Sequence, residues 1–270
     1  MIIFKSINKL NKEVNFKANI GFVPTMGSLH KGHISLIKSS KKICKKTLVS
    51  IFINPSQFNR NSDLNSYPRN LKNDIKILKK LKVDFLLLPK VGEIYKKKND
   101  KKIKLNQQDK ILCAKYRPGH FEGVLAVINQ FLHNFKPKYI FLGEKDYQQL
   151  FLIRNFIRKK FKTKIFSCST VRNKNKVALS SRNILLSKYD IKKSSFIAKL
   201  LLNHKKELKK NIFLKKKLKN IIFKLNNIKN IKIEYLEIRN KNNLSKNYNK
   251  NNFKIFLAYY NKKIRLIDNY

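Results

Sequence analysis

Two histidines three residues apart, His30 and His33, follow an apolar run from Ile20 to Val23 and a turn containing Pro24, Gly27 and Ser28. The run reads as a buried strand, and Ile34-Ser35-Leu36-Ile37 opens a helix. On the first turn of a helix this spacing puts both imidazoles on one side. A helix N-terminus also offers backbone N–H groups and a partial positive charge, an environment that suits phosphate. Gly27 and Gly32 leave room for a ligand to approach the backbone. The chemistry favoured is stabilisation of negative charge on phosphoryl oxygens. The alternative is a core turn that carries two histidines by chance.

The elements that must position these groups alternate between strands and helices. A short strand and a helix are expected within residues 1–17, followed by the Ile20 strand and a helix from about Ile34 to Lys42. Lys46 to Ile53 reads as a strand ending at Asn54-Pro55. Leu71, Ile75, Leu78 and Leu81 stripe a helix, and Val83 to Leu88 is a strand stopped by Pro89. Residues 96–104 form a lysine-rich loop. Val124, Val127, Ile128, Phe131 and Phe135 stripe another helix before the strand Tyr139 to Leu142. Leu150, Ile153, Phe156 and Ile157 mark a further helix before the strand Lys164 to Cys168.

Continuous apolar strands alternating with helices imply a parallel sheet covered on both faces. Residues 1–172 are therefore expected to form a doubly wound, Rossmann-like nucleotide-binding α/β domain. Ligands in such folds sit at the carboxyl ends of strands. Three informative clusters fall at such ends: the histidine turn, Asn54 to Phe58, and Gly143 to Asp146. Residues 173–270 read as a smaller α+β domain. There Ser187 with Asp190 resembles a helix N-cap, and Ile197, Leu200 and Leu201 have helical spacing. Ile231 to Ile238 alternates as a half-buried strand. Phe253 to Tyr260 and Lys263 to Ile267 suggest a hairpin through Asn261-Lys262. Asn240 to Asn252 is low in complexity and expected to be a mobile loop.

Composition bounds the rest. The chain has 270 residues, 42% of them hydrophobic, which supports a globular protein with ample core. It has no apolar run long enough to span a membrane. The N-terminal residues lack the pattern of an export signal. Cys44, Cys113 and Cys168 are far apart and form no metal or disulfide pattern, so they read as reduced thiols of a cytoplasmic protein. The net charge of +48 would ordinarily suggest a polyanion partner. Lysine, asparagine and isoleucine are over-used together, however, and share A/T-rich codons, so composition bias produces the same surface. Salt-sensitive adhesion to RNA follows either way, and no specific nucleic-acid partner is expected. Every glycine lies at or before Gly143 and every proline at or before Pro137, a shift that sets the two regions apart.

With VPTMGSLHKGH, VSIFINPSQF, YPRN, RPGHFEGV, FLGEKDYQQLFLIR, the SSRN at Ser180 to Asn183 and the closing RLIDN in view, the chain resembles the pantothenate synthetase (pantoate–β-alanine ligase) family of the HxGH nucleotidyltransferases. The resemblance covers most of the chain. It implies ligation of pantoate to β-alanine with ATP, through a pantoyl adenylate, releasing AMP and pyrophosphate. The alternative within the same fold is another HxGH nucleotidyltransferase with a different acceptor. A basic RNA-binding module is the alternative from another class, and the burial of most aromatics in periodic runs argues against it.

The resemblance implies catalytic roles for His30, His33, Lys145, Ser180 and Arg182. The Ser180–Arg182 segment is expected to close over the phosphates from the second domain. ATP would also meet Met26, Gly143, Asp146, Val171 and Ser181. Pantoate would meet Pro24, Met26, Gln57 and Gln149, with Phe52 shaping the surroundings. Mg²⁺ would travel on the ATP phosphates with no dense carboxylate cage. A homodimer is implied as well. Arg117 and His120 stay open between binding and structural roles. One departure concerns the family's usual Asp-Gly turn before SSRN, which is Asn175-Lys176 here. A lysine held at positive φ would be strained.

Overall fold

A computed structural model describes residues 1–95 and 103–270; most of the lysine-rich loop expected at 96–104 lies outside the described residues. The chain separates into two compact units, Met1–Glu144 with Gln149–Ser169, and Lys145–Gln148 with Thr170–Tyr270.

In the first unit, β1 (Ile2–Phe4) and α1 (Ile7–Glu13) lead to β2 (Ile20–Thr25), α2 (Lys31–Ile43) and β3 (Lys46–Ile51). After the short α3 (Asn61–Asn65) come α4 (Leu71–Lys80), β4 (Phe85–Leu87) and two further short helices, α5 (Val91–Ile94) and α6 (Cys113–Tyr116). The long α7 (His120–Asn134) then precedes β5 (Tyr139–Gly143), α8 (Tyr147–Lys160) and β6 (Lys164–Cys168). The six strands lie in the order β1-β4-β3-β2-β5-β6, and every pairing is parallel. This is the doubly wound α/β arrangement that the sequence implies.

The strand order reverses between β2 and β5, the kind of switch point at whose carboxyl ends open α/β sheets bind ligands. On one face of the sheet, Val23, Val49, Leu86 and Phe141 pack with Leu36 and Ile37 of α2 and Leu78 of α4. On another, Phe22 meets Phe131 and Phe135 of α7 edge-on, with ring centroids 5.3 and 5.0 Å apart. Most of α7 is buried around its circumference, as expected of a helix that is apolar on all sides.

The strands are shorter than their apolar runs. Phe52 and Ile53 lie beyond β3, and Val83 precedes β4. Phe52 and Val83 are both buried, and Phe52 N–H still donates to Thr25 O of β2 at 3.0 Å, so packing and pairing both reach past the regular strand.

The second unit holds α9 (Lys188–Lys210), α10 (Leu218–Asn226) and an antiparallel sheet β7 (Ile231–Asn240), β8 (Phe253–Asn261) and β9 (Ile264–Asn269). Ser187 and Asp190 form the expected capping box of α9. Ile197, Leu201 and Leu208 of α9 and Leu225 of α10 pack with Leu236, Ile255 and Leu257 of the sheet. β7 carries a register shift between Ile233 and Tyr235, which breaks its simple alternation.

Two expectations need correction. Asn261 belongs to β8, and the hairpin turns at Lys262 with φ +55°; the Asn261 amide instead donates to Asp190 O at 2.9 Å. The asparagine-rich stretch after β7 is pinned by its own side chains. Asn240 Nδ2 donates to Asn247 O at 2.9 Å, Asn242 N–H to Asn240 Oδ1 at 2.8 Å, and Leu244 is buried. Short amides close local turns there.

Candidate active site

At the end of β2 the Thr25 hydroxyl donates to Ser50 O at 2.8 Å and accepts from Gly27 N–H at 3.2 Å, which ties the coming turn to β3. Gly27 and Ser28 then take positive φ, +79° and +50°. His30 is the N-cap of α2, with extended backbone, and its Nδ1 accepts from Gly32 N–H at 3.0 Å. His33 Nδ1 in turn accepts from His30 N–H at 3.4 Å. This is a capping box built from two imidazoles, and it starts α2 at Lys31, ahead of the expected Ile34. Histidine lies outside the usual capping residues, so the sequence pattern does not reveal it.

The cap fixes chemistry as well as structure. A ring nitrogen that accepts a hydrogen bond carries no proton, so the neutral imidazole holds its proton on Nε2. Both rings, stacked with centroids 4.1 Å apart, are thereby set as Nε2–H donors. Glycine suits this ring position: a Cβ at Gly32 would lie 2.7 Å from His30 Cε1, so any larger residue would have to move the ring. The helix N-terminus is correspondingly less open than expected, since the Gly32 N–H is already engaged. The donors suited to a phosphate are the imidazole N–H groups.

A residue that sequence reasoning missed stands behind this turn. Asp74 of α4, 1% exposed, accepts from Ser28 N–H at 2.8 Å and from Leu29 N–H at 2.7 Å. Its signal was present: an acid at the i+3 position of the Leu71, Ile75, Leu78 stripe.

The second cluster follows β3. Asn54 caps the turn Pro55–Gln57 and donates to Gly123 O of α7 at 3.0 Å and to Gln57 Oε1 at 3.3 Å. The Tyr95 hydroxyl donates to Asn54 Oδ1 at 2.9 Å. Burial pushes the Tyr95 phenol up from its ordinary range, with the Ser56 and Asn54 hydrogen bonds opposing. Gly123 is required here, because a Cβ would lie 2.2 Å from Ser56 O.

His120 is tied into the Gln57 turn. Its Nδ1 bonds Gln57 O at 2.7 Å and its Nε2 faces Arg117 Nη1 at 3.0 Å. Since arginine only donates, His120 carries its proton on Nδ1, the reverse of the His30 pattern. The Gln57 amide nitrogen reaches Met26 Sδ, so two of the residues implied for pantoate lie together. Pro24 is half-buried in β2 beside Ser50, Phe52 packs edge-on against Phe131, and Gln149 is half-buried in the first turn of α8. Gly143 ends β5, and a Cβ there would enter open space.

In the second unit, Lys145 Nζ pairs with Asp146 Oδ1 at 3.1 Å, and Asn269 Nδ2 donates to Lys145 O at 2.9 Å. Val171 O accepts from Leu179 N–H at 3.0 Å, next to the bridge between Arg172 and Ala178. Arg172 grips both oxygens of Asp268 at 2.7 and 2.8 Å. Burial alone would lower the Arg172 guanidinium, but the Asp268 carboxylate outweighs it and the net shift is upward. Ser180 and Asn183 cap the turn Ser181–Leu185 reciprocally, and Ser180 Oγ accepts from Arg182 N–H at 3.3 Å. The Ser180 hydroxyl proton remains a donor. Ser181 is buried and Arg182 half-buried.

Residues 2–270 match the family described as pantoate–β-alanine ligase. The chain belongs to the pantoate–β-alanine ligase family. It is 41% identical over 275 residues to the pantothenate synthetase of Francisella philomiragia, covering 100% of this chain and 97% of the relative. Against the pantothenate synthetase of Pseudothermotoga lettingae it is 36% identical over 280 residues, covering 100% and 98%. Among solved structures it is similar to the Francisella tularensis pantoate–β-alanine ligase complexed with β-γ ATP and β-alanine (TM-score 0.86, 38% identity, 100% and 97% covered). It is also similar to the Thermus thermophilus pantothenate synthetase (TM-score 0.92, 30% identity, 100% and 99% covered).

The turn at Asn175-Lys176 carries a lysine at positive φ. Lys176 takes φ +68°, while Asn173 Oδ1 accepts from Asn175 N–H at 2.9 Å and Val177 N–H at 3.0 Å. The turn thus forms with a lysine in the position where glycine is unstrained.

Proposed function

We propose that this chain joins pantoate to β-alanine with ATP through an acyl adenylate. The pantoate carboxylate attacks the α-phosphorus of ATP, the Pα–O bond to pyrophosphate breaks, and pantoyl adenylate forms. The β-alanine amine then attacks the acyl carbon, and AMP leaves as the amide forms. A carboxylate is a poor acylating agent, so activation must precede attack by the amine. Both reactants of the first step are anions, and charge grows on the phosphoryl oxygens, so the chemistry needs oriented donors and cations.

The imidazole pair supports this reading most directly: with both Nδ1 atoms engaged in the cap, His30 and His33 act as neutral Nε2–H donors to the phosphates. Lys145, Ser180 and Arg182 are assigned to the same developing charge, with Ser181 beside them. Met26 and Gly143 border the nucleotide, Asp146 accepts from its ribose hydroxyls, and Val171 lies against adenine. Pro24, Met26, Gln57 and Gln149 are assigned to pantoate, the glutamine amides meeting its carboxylate and hydroxyls. Among the described residues no group of three His, Cys, Asp or Glu side chains gathers to hold a metal. Mg²⁺ would be held mainly through the nucleotide and would supply charge neutralisation at the phosphates. The reading extends to a homodimer acting in the cytoplasm. Among the described residues no helix is long and apolar enough to cross a membrane.

Exchange of labelled pyrophosphate into ATP tests the proposal. Exchange should depend on pantoate and proceed without β-alanine. It should fall by about 10²-fold in His33→Ala and Lys145→Ala, the scale for one lost transition-state donor. Exchange that responds to a phosphorylated acceptor and ignores pantoate would overturn the substrate assignment.

A further inference from the structure

The turn that presents the two imidazoles is held by a carboxylate from a different helix. Gly27 and Ser28 are left-handed in succession, a conformation disfavoured for serine. Such turns aim successive backbone N–H groups into a concavity that binds anions. In this chain an internal anion fills it: Asp74 accepts from Ser28 N–H through Oδ2 at 2.8 Å and from Leu29 N–H through Oδ1 at 2.7 Å. Both oxygens are thus committed to adjacent amides, and the side chain is buried. Gly27 permits the approach, since a Cβ there would lie 3.1 Å from Asp74 Oδ2 and 3.1 Å from Ile51 Cγ2.

We infer that Asp74 is a positioning residue for the imidazole pair. Two consequences follow from the geometry. The anion-binding concavity is closed to substrate phosphate, which leaves phosphate recognition to side-chain donors. The carboxylate also compensates the left-handed Ser28, fixing the direction in which the chain enters the N-cap at His30. An uncharged amide cannot replace it: Asp74→Asn turns one acceptor into a donor facing a backbone N–H. The catalytic consequence rests on the assignment of His30 and His33 to the phosphates, whereas the positioning itself does not.

The test compares the parent chain with Asp74→Asn by long-range ¹H–¹⁵N correlation of labelled histidines, together with pyrophosphate exchange. In the parent, His30 and His33 show acceptor-type Nδ1 and donor-type Nε2, and His120 shows the reverse. In Asp74→Asn the His30 and His33 patterns should shift or broaden while that of His120 stays. The exchange kcat should fall by about 10²-fold, as for a misplaced reacting group, and KM for pantoate should change by less than about twofold. Unchanged His30 and His33 signals would overturn the inference. So would loss of the His120 pattern with them, because Asp74 would then support the fold at large. Shifted His30 and His33 signals with parental exchange would uphold the positioning and sink the assignment of the imidazoles to phosphate.

Discussion

Gly32 lies directly beneath the imidazole of His30: its N–H donates to His30 Nδ1 at 3.0 Å, and a Cβ on it would come within 2.9 Å of the same atom. The glycine of the HxGH motif is therefore explained by the ring it supports. Gly32→Ala should push the ring off its cap and release the Nε2–H tautomer. Adenylate formation should fall by about 10²-fold while the thermal midpoint stays close to that of the parent, measured by exchange kinetics and calorimetry. Parental exchange by this variant would show that the cap does not orient a catalytic donor.

Gln57 depends on its neighbours in a similar way. Its carbonyl is held by His120 and its turn is pressed against Gly123. Gln57→Ala should weaken pantoate binding more than ATP binding. Gly123→Ala should do the same from outside the pocket, by displacing the Ser56 carbonyl. Isothermal calorimetry with each ligand decides the matter, and equal loss for both would contradict the assignment of Gln57 to pantoate.

Lys176 holds φ +68° where an L-residue is penalised by roughly 1–2 kcal/mol. Lys176→Gly removes that strain and gives back part of the gain through a more flexible unfolded chain. The net expectation is a stabilisation of about 0.5–1 kcal/mol, read from denaturant midpoints at constant slope. A loss of stability would mean that the lysine side chain contributes more than its backbone costs.

His204 gives the stability a pH dependence. It is buried in the second unit, its Nδ1 lies 3.5 Å from Glu207, and among the described residues its Nε2 finds no hydrogen-bond partner. Burial holds its pKa below the ordinary 6.5, with Glu207 opposing and Lys217 adding to the depression. The folded chain therefore keeps His204 neutral at pH values where the unfolded chain has begun to bind the proton. Stability consequently falls as pH drops below about 6.5. His204→Leu should flatten that part of the profile in denaturant titrations. A slope identical to the parent's would assign the dependence to other groups.

Much of this architecture is legible in the residues themselves. The apolar runs at Ile20 and Tyr139 and the intervening helical stripes imply the parallel sheet, because a strand buried on both faces needs no polar alternation; β6, at the sheet edge, alternates between exposed and part-buried residues instead. Ser187 and Asp190 announce α9 by a familiar cap. His30 gives no such signal, since its role as a cap depends on a ring folding over Gly32. Asp74 is hidden for a related reason: one acid in an apolar stripe reads as a helix position until its backbone partners, 45 and 46 residues away, are in place. Lys145 groups with the second unit, where Asn269 takes its carbonyl, a long-range contact that local pattern cannot reveal.

Attack of the pantoate carboxylate on the α-phosphorus is the step on which the proposed reaction turns. Turnover of pantoate labelled with ¹⁸O in its carboxylate, followed by mass spectrometry of the nucleotide product, tests it directly. The prediction is AMP carrying one ¹⁸O per pantothenate formed, since the bridging oxygen leaves with phosphorus when the amine attacks. Unlabelled AMP, or ADP released with labelled inorganic phosphate, would contradict it.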